Sequence, residues 1–404
     1  MRSYTFRQIA IFIIPACLLL LILIIGFALE GSQQFSDLAQ AFVHGHLNFL
    51  KPIGGPGQDP VYRNGKIYWS EGPFPALILM PFVAIFNLFH LFFYQGYIKW
   101  LFVIAVMLLI YKLARLLAYS KEDSLFLGFG FSLASTFIGV ASVSASWYFA
   151  QVITVCLLFW CLYEYFRTKK PNWWLIGLVC GLILMTRATA FFVVVFFLLE
   201  IWRTKSTRKN KLNALIKLVL PFFACVLLLA IYNYLRFNNP FNSGFADQLL
   251  YPPSLASESL GVFSLAHLPT NLYSMLLASP EPVLRSSKTW ILKFPYIKSA
   301  PNGMSIFFTS PYLLILFVQK RSSISKTVWN LLIAASLSAL SLLIYFGIGR
   351  TQYGYRYSLD FLPELFMAFM ILYKQNHNEL SGGLRLLIIA AAVMNFYLLM
   401  PFIF

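Results

Sequence analysis

Eight side chains of this chain have the types and placement to move a proton or to hold an anion. Asp37, Asp59 and Glu71 are carboxylates, Lys66, Arg187 and Arg356 are cations, and Tyr68 and Tyr357 are phenols beside cations. A positioned carboxylate can take the proton of an attacking hydroxyl. A guanidinium in low-dielectric surroundings can hold a phosphate leaving group through paired hydrogen bonds. The three carboxylates are therefore candidate catalytic groups, and Lys66, Tyr68, Arg187, Arg356 and Tyr357 are candidates for binding substrate.

The first polar loop, Glu30–Gly72, holds five of the eight and a dense set of ionisable groups for so apolar a chain. Within it, Pro60–Trp69 reads as a hairpin turning at Asn64-Gly65, because a type I′ turn needs two residues that tolerate positive φ. Asp37 lies about two turns beyond the first apolar run, in a segment where Phe35, Leu38, Ala41 and Phe42 recur at helical spacing. On residue type alone a solvated surface carboxylate is the commoner role; position directly after a span favours a catalytic one. Arg187 falls between two apolar runs, where it could snorkel or meet an anion such as a lipid phosphate. Arg356 stands four residues before Asp360, so a local helical ion pair competes with phosphate binding as its role. Arg350 flanks the same turn. His44 and His46 would point to different faces of a helix, which makes a metal site there a weak reading. A divalent metal could be held by Asp37 with Asp59 or Glu71, although the chemistry does not require one.

The elements that must position these groups are membrane helices. Of 404 residues, 59% are hydrophobic and only 11% charged, where a soluble domain is about one quarter charged. The net charge of +17 sits in short loops between apolar runs, the positive-inside pattern, so nucleic acid is not the implied partner. Cys17, Cys156, Cys161, Cys180 and Cys225 all lie inside apolar runs, which indicates neither a disulfide framework nor a zinc site. Ile9–Leu29, behind Arg2 and Arg7, is long enough to span and reads as a retained anchor with a cytoplasmic N-terminus.

Arg167–Lys170, Arg203–Lys211 and Lys320–Lys326 are the clearest cytoplasmic loops. The first two flank Trp173–Trp202, which must then cross twice as short helices meeting near Thr186 and Arg187. Placing Glu30–Gly72 outside and Lys112, Arg115 and Lys121 inside requires an odd number of crossings between them. Pro73–Tyr94, broken by Pro75 and Pro81, is therefore expected to lie in the interface or to re-enter. The result is an all-α polytopic fold over residues 1–404: about eleven spans, interfacial helices, and external loops at 30–72, 238–303 and 349–360. Ser305–Val318 is among the expected spans.

Several short motifs, in order, resemble bacterial membrane glycosyltransferases of the GT-C superfamily, the group of protein O-mannosyltransferases and lipid A aminoarabinose transferases. They are Asp37 after the first helix; Gly65, Lys66 and Tyr68 before Pro73 and Pro75; and Thr186-Arg187 at the short-helix hairpin. Asn233, Arg236, Phe237 and Pro240 follow, then Gly303, Ser305 and Phe307, and finally Arg356-Tyr357. The resemblance implies sugar transfer from a polyprenyl-phosphate donor to a lipid or glycan acceptor at the outer face of a bacterial inner membrane. It makes Asp37 the catalytic base and Arg187 and Arg356 ligands of the carrier phosphate. Ala188 departs from the family in standing where a proline often follows Thr-Arg, and Ala141–Gln151 lacks the charged residue that many relatives carry there. The competing classes are a transporter or flippase of lipid-linked sugars and an inactive scaffold of polysaccharide assembly. A flippase would concentrate its charge at mid-membrane between repeated halves.

Overall fold

The computed structural model describes residues 13, 16–22, 24–26, 31–53, 58–250, 252–286, 288–318, 324–349 and 352–403. Arg2, Arg7, Glu30, Lys320 and Arg350 lie outside the described residues. The protein is mostly helical. Helix α1 (Gln34–Val43) buries Phe35, Leu38, Ala39 and Ala41 and leaves Asp37 half-buried. The hairpin pairs β1 (Pro60–Arg63) with β2 (Lys66–Trp69), Pro60 opposite Trp69. Its turn residues Asn64 and Gly65 have φ of 50° and 71°, as a type I′ turn demands. Trp69 is fully buried, its ring centroid 6.0 Å from that of Phe35 and 5.7 Å from that of Trp147. That indole fixes the hairpin to its neighbours.

Helix α2 (Phe74–Asn87) opens on proline, which suits the first turn because its missing N–H has no partner there anyway. At 14 residues it covers about 21 Å, less than the roughly 30 Å of a bilayer core. Then come α3 (Gly96–Leu116), α4 (Lys121–Leu133), α5 (Phe137–Ser142), α6 (Ser146–Phe166), α7 (Trp173–Leu184), α8 (Val193–Arg203) and α9 (Arg208–Phe237). The second polar region holds α10 (Leu268–Leu276) and an antiparallel ribbon of β3 (Glu281–Leu284) and β4 (Leu292–Lys298). The chain closes with α11 (Lys326–Leu343), α12 (Leu362–Asn376) and α13 (Gly382–Ile403).

Among the described residues five helices, α3, α6, α9, α11 and α13, are individually long and apolar enough to cross a membrane. Two of the expected runs break. Ser305–Val318 forms Ile306–Thr309, Pro311–Leu314 and Ile315–Val318 instead of one helix, because Pro311 supplies no N–H and clashes with the preceding turn. Ser124–Gly139 divides into α4 and α5 around residues 134–136. The hairpin of short helices does form, α7 and α8 meeting at a 3-10 turn, Ala188–Ala190.

Helix α6 is the centre of the bundle: 78% of its most apolar window is buried, against 17% for α9, which is largely exposed. The helices share a polarity. The N-terminal end of α6, the α7–α8 turn and the C-terminal end of α9 meet the first loop. Tyr345, just past α11, reaches Tyr357 at the same end. The opposite ends of these helices border a basic cavity.

Candidate active site

The first loop reaches the α7–α8 turn because Gly72 has no side chain. A Cβ there would stand 2.0 Å from the Met185 carbonyl oxygen, a separation no side chain can occupy. The same carbonyl accepts the Phe74 amide at 3.1 Å. This close crossing brings Glu71, at the entrance of α2, to Arg187. Helices α7 and α8 have 12 and 11 residues, lengths of about 18 and 16 Å, each short of the roughly 30 Å bilayer core. The turn between them is accordingly set into the bundle rather than on its surface, where irregular backbone is tolerated because protein surrounds it.

Arg187 is held there by Asp360. Its Nε and a terminal nitrogen donate to the two carboxylate oxygens at 2.6 and 2.9 Å, and the Thr189 hydroxyl also donates to Asp360. Asp360 is fully buried and Arg187 8% exposed. The local Arg356–Asp360 pair that the spacing suggested does not form. Residues Arg356–Asp360 are a 3-10 helix, with three residues per turn, so positions four apart do not share a face.

Arg356 is thereby left without a carboxylate partner: among the described residues it forms no ion pair. It is 8% exposed, and its Nε is buried with no hydrogen-bond partner. Its guanidinium lies 4.8 Å from the Tyr357 ring centroid and 5.5 Å from that of Tyr148. Gln151, about one turn beyond Tyr148 on α6, accepts from Arg356 at 3.4 Å and donates to its carbonyl at 3.1 Å. Arg187 approaches the same Tyr357 ring at 5.6 Å. One phenol is thus shared by two guanidiniums, one neutralised and one not.

Two carboxylates face this pair. Asp59 takes φ of 55°, a strained backbone for a non-glycine residue, and accepts from Trp147 Nε1 at 3.0 Å. Burial raises its carboxyl above the usual range, while the Trp147 bond and Arg356 oppose the rise. Glu71 is 9% exposed. Burial raises it too; Arg187 and Arg356 pull it down, and Asp59 and Asp360 push it up. Burial also raises the Tyr357 phenol, against the two arginines. Asp59, Glu71, Arg187, Arg356 and Tyr357 are therefore one electrostatic unit.

The remaining candidates lie elsewhere. Asp37 lines a cavity of about 450 Å³ with Lys51, His44, His90 and Asn87. Burial lifts its carboxyl to about 6, Lys51 opposing, and neither Asp59 nor Glu71 is among its principal influences. Lys66 is exposed on the hairpin, and Tyr68 packs on Phe237 at 5.4 Å between ring centroids. His44 Nδ1 is engaged by the Gln40 carbonyl at 2.8 Å. Among the described residues no three His, Cys, Asp or Glu side chains gather closely enough to hold a metal ion. By sequence Trp147 and Tyr148 read most simply as part of an interfacial aromatic belt, and Gln151 carries no assigned role. A lone glutamine inside an apolar helix was the available signal, since a buried amide needs partners.

No family model and no curated protein matches the chain. Among solved structures it is similar to the oligosaccharyltransferase of Archaeoglobus fulgidus in the apo form, with 15% identity and a TM-score of 0.44 over 95% of this chain and 55% of that one. It is also similar to the oligosaccharyltransferase AglB of the same organism in complex with an inhibitory peptide and a dolichol-phosphate, at 13% identity and a TM-score of 0.44, over 96% of this chain and 55% of that one. The chain spans about half the length of the solved structures it matches.

Proposed function

We propose that this protein is a membrane glycosyltransferase that moves a sugar from a polyprenyl-phosphate-linked donor to a hydroxyl of a lipid or glycan acceptor. One observation carries the reading: a buried arginine in no ion pair among the described residues, Arg356, stands in one electrostatic unit with Glu71 and Asp59. A buried guanidinium is costly unless an anion meets it, and the phosphate of a lipid carrier supplies one. The acceptor oxygen forms its bond to the anomeric carbon as the carbon–phosphate oxygen bond breaks. Glu71 receives the acceptor proton, and Arg356 carries the charge of the departing phosphate monoester. Burial suits Glu71 to this role, because a base with a raised pKa holds the proton it takes. Asp59, held by Trp147, is the second carboxylate of the site. Arg187 is committed to Asp360, so its part is to position Tyr357 and to bias Glu71 toward its ionised form.

The resemblance makes Asp37 the base, whereas the arginines stand beside Glu71. Donor consumption by purified protein in lipid nanodiscs separates the two, with Glu71→Gln, Asp59→Asn, Asp37→Asn and Arg356→Gln compared with wild type. The expected result is a loss of roughly 10²–10⁴ in rate for Glu71→Gln and weakened donor binding for Arg356→Gln. Wild-type turnover by Glu71→Gln, with none by Asp37→Asn, returns the base to Asp37. Donor binding without consumption by the wild type, across a panel of donors and acceptors, sinks the transferase reading in favour of transport or a scaffold.

A further inference from the structure

At the other end of the bundle the same helices enclose a second polar cavity, of about 640 Å³. The helical rise from Tyr148 beside Arg356 to Tyr165 on its wall puts it about 26 Å from the candidate active site. For helices that cross a membrane, that distance places the two on opposite faces. The wall carries Lys169, Lys170, Lys211, Lys217 and Arg203, with Tyr165 and Trp173 among its aromatic residues.

Among the described residues no carboxylate lines it, and two glutamates adjacent in sequence to its lining residues are already committed. Glu200 is bonded by Arg203, Tyr165 and Asn330, and Glu164 is paired with Arg167. Lys211 donates to the Trp202 carbonyl at 2.7 Å. Lys169, Lys170 and Lys217 have no carboxylate partner among the described residues. Lys217 is the most telling. It lies nine residues, about 13 Å, into α9, flanked by Ile216 and Leu218. It is half-buried there, and an ammonium among apolar side chains reaches for a polar recess or an anion.

From this cavity we infer that the protein binds the headgroup of an acidic phospholipid on the face opposite its candidate active site. The phosphate sits among Lys169, Lys170 and Lys217, and the glycerol backbone lies against Trp173. A soluble phosphate would be met by the same lysines but would make no use of the aromatic wall or of the apolar residues that flank Lys217. The occupant is therefore a lipid. The inference is independent of the transferase reading, since it involves none of the groups assigned to the reaction.

The test uses full-length protein in neutral detergent, given equal phosphatidylglycerol and phosphatidylcholine, with retained lipid read by native mass spectrometry. Wild type is expected to retain phosphatidylglycerol in preference. Each lysine-to-glutamine change is expected to lower that preference about fivefold, the worth of one lysine at an anionic surface. Lys169→Gln/Lys170→Gln/Lys217→Gln is the main variant, and Lys217→Gln alone serves if the triple variant does not fold. Equal retention of the two lipids by wild type, or unchanged preference in Lys217→Gln, overturns the inference. So does displacement of phosphatidylglycerol by millimolar inorganic phosphate or glycerol phosphate, which would assign the cavity to a soluble anion.

Discussion

The Arg187–Asp360 pair makes the sharpest prediction about how the site is held. Asp360 is fully buried and accepts from two guanidinium nitrogens at 2.6 and 2.9 Å and from Thr189. Asp360→Asn keeps the shape but leaves an uncompensated guanidinium that is 8% exposed. Removing one partner of such a pair costs about 3–5 kcal/mol, whereas replacing both by apolar groups of similar volume is about neutral. Asp360→Asn and Arg187→Met are each expected to destabilise by that amount, and Arg187→Met/Asp360→Asn, which leaves neither charge buried, by much less than their sum. Arg356→Met is the contrasting case. It breaks no ion pair, so its stability cost is expected to stay within about 1 kcal/mol although donor binding weakens. Denaturant unfolding of the four variants in mixed micelles, analysed as a double-mutant cycle, measures this directly. Additive losses across the cycle, or an Arg356→Met cost matching that of Asp360→Asn, would refute the division of labour between the two arginines.

Three further outcomes are expected. The Asp37 carboxyl is raised from 3.8 to about 6, so from about pH 4 to 6 the unfolded chain ionises this group while the folded protein keeps it neutral. Its stabilising contribution is complete below that window and lost as the pH rises through it; melting curves at stepped pH should show a downward slope there that Asp37→Asn removes. Gly72→Ala forces a methyl group onto the Met185 carbonyl and should displace Glu71 from Arg187. An overpacked crossing costs about 1–3 kcal/mol, and donor turnover should fall more than donor binding; unchanged turnover would mean that Glu71 is not used. Trp147→Phe removes the hydrogen bond that favours the ionised form of Asp59. The acidic limb of the activity–pH profile should therefore move to higher pH, and an unmoved limb would exclude Asp59 from the rate-determining ionisation.

Composition alone dictated a membrane protein, because a chain so apolar has no other solvent in which to fold. Local rules fixed other parts. Asn64-Gly65 had to turn, since few residue pairs accept positive φ twice, and the apolar spacing around Asp37 had to make a helix with one buried face. The two short helices meeting at Arg187 were legible from the basic loops on either side. Partner choice was not. Asp360 stands four residues from Arg356 and 173 from Arg187 in sequence, and proximity along the chain favoured the wrong arginine. Only the tertiary fold, with a 3-10 turn rotating Asp360 away and Gly72 admitting the first loop to the Met185 carbonyl, decided which cation is neutralised and which is left to meet an anion. The same holds for the three carboxylates of the first loop. Their shared loop suggested one site, but Asp37 sits on a helix that faces Lys51, while Asp59 and Glu71 are carried by the hairpin and the α2 entrance to the arginines. Sequence spacing records how far apart residues are along the backbone. Which electrostatic field a side chain enters depends on packing between elements distant in the chain.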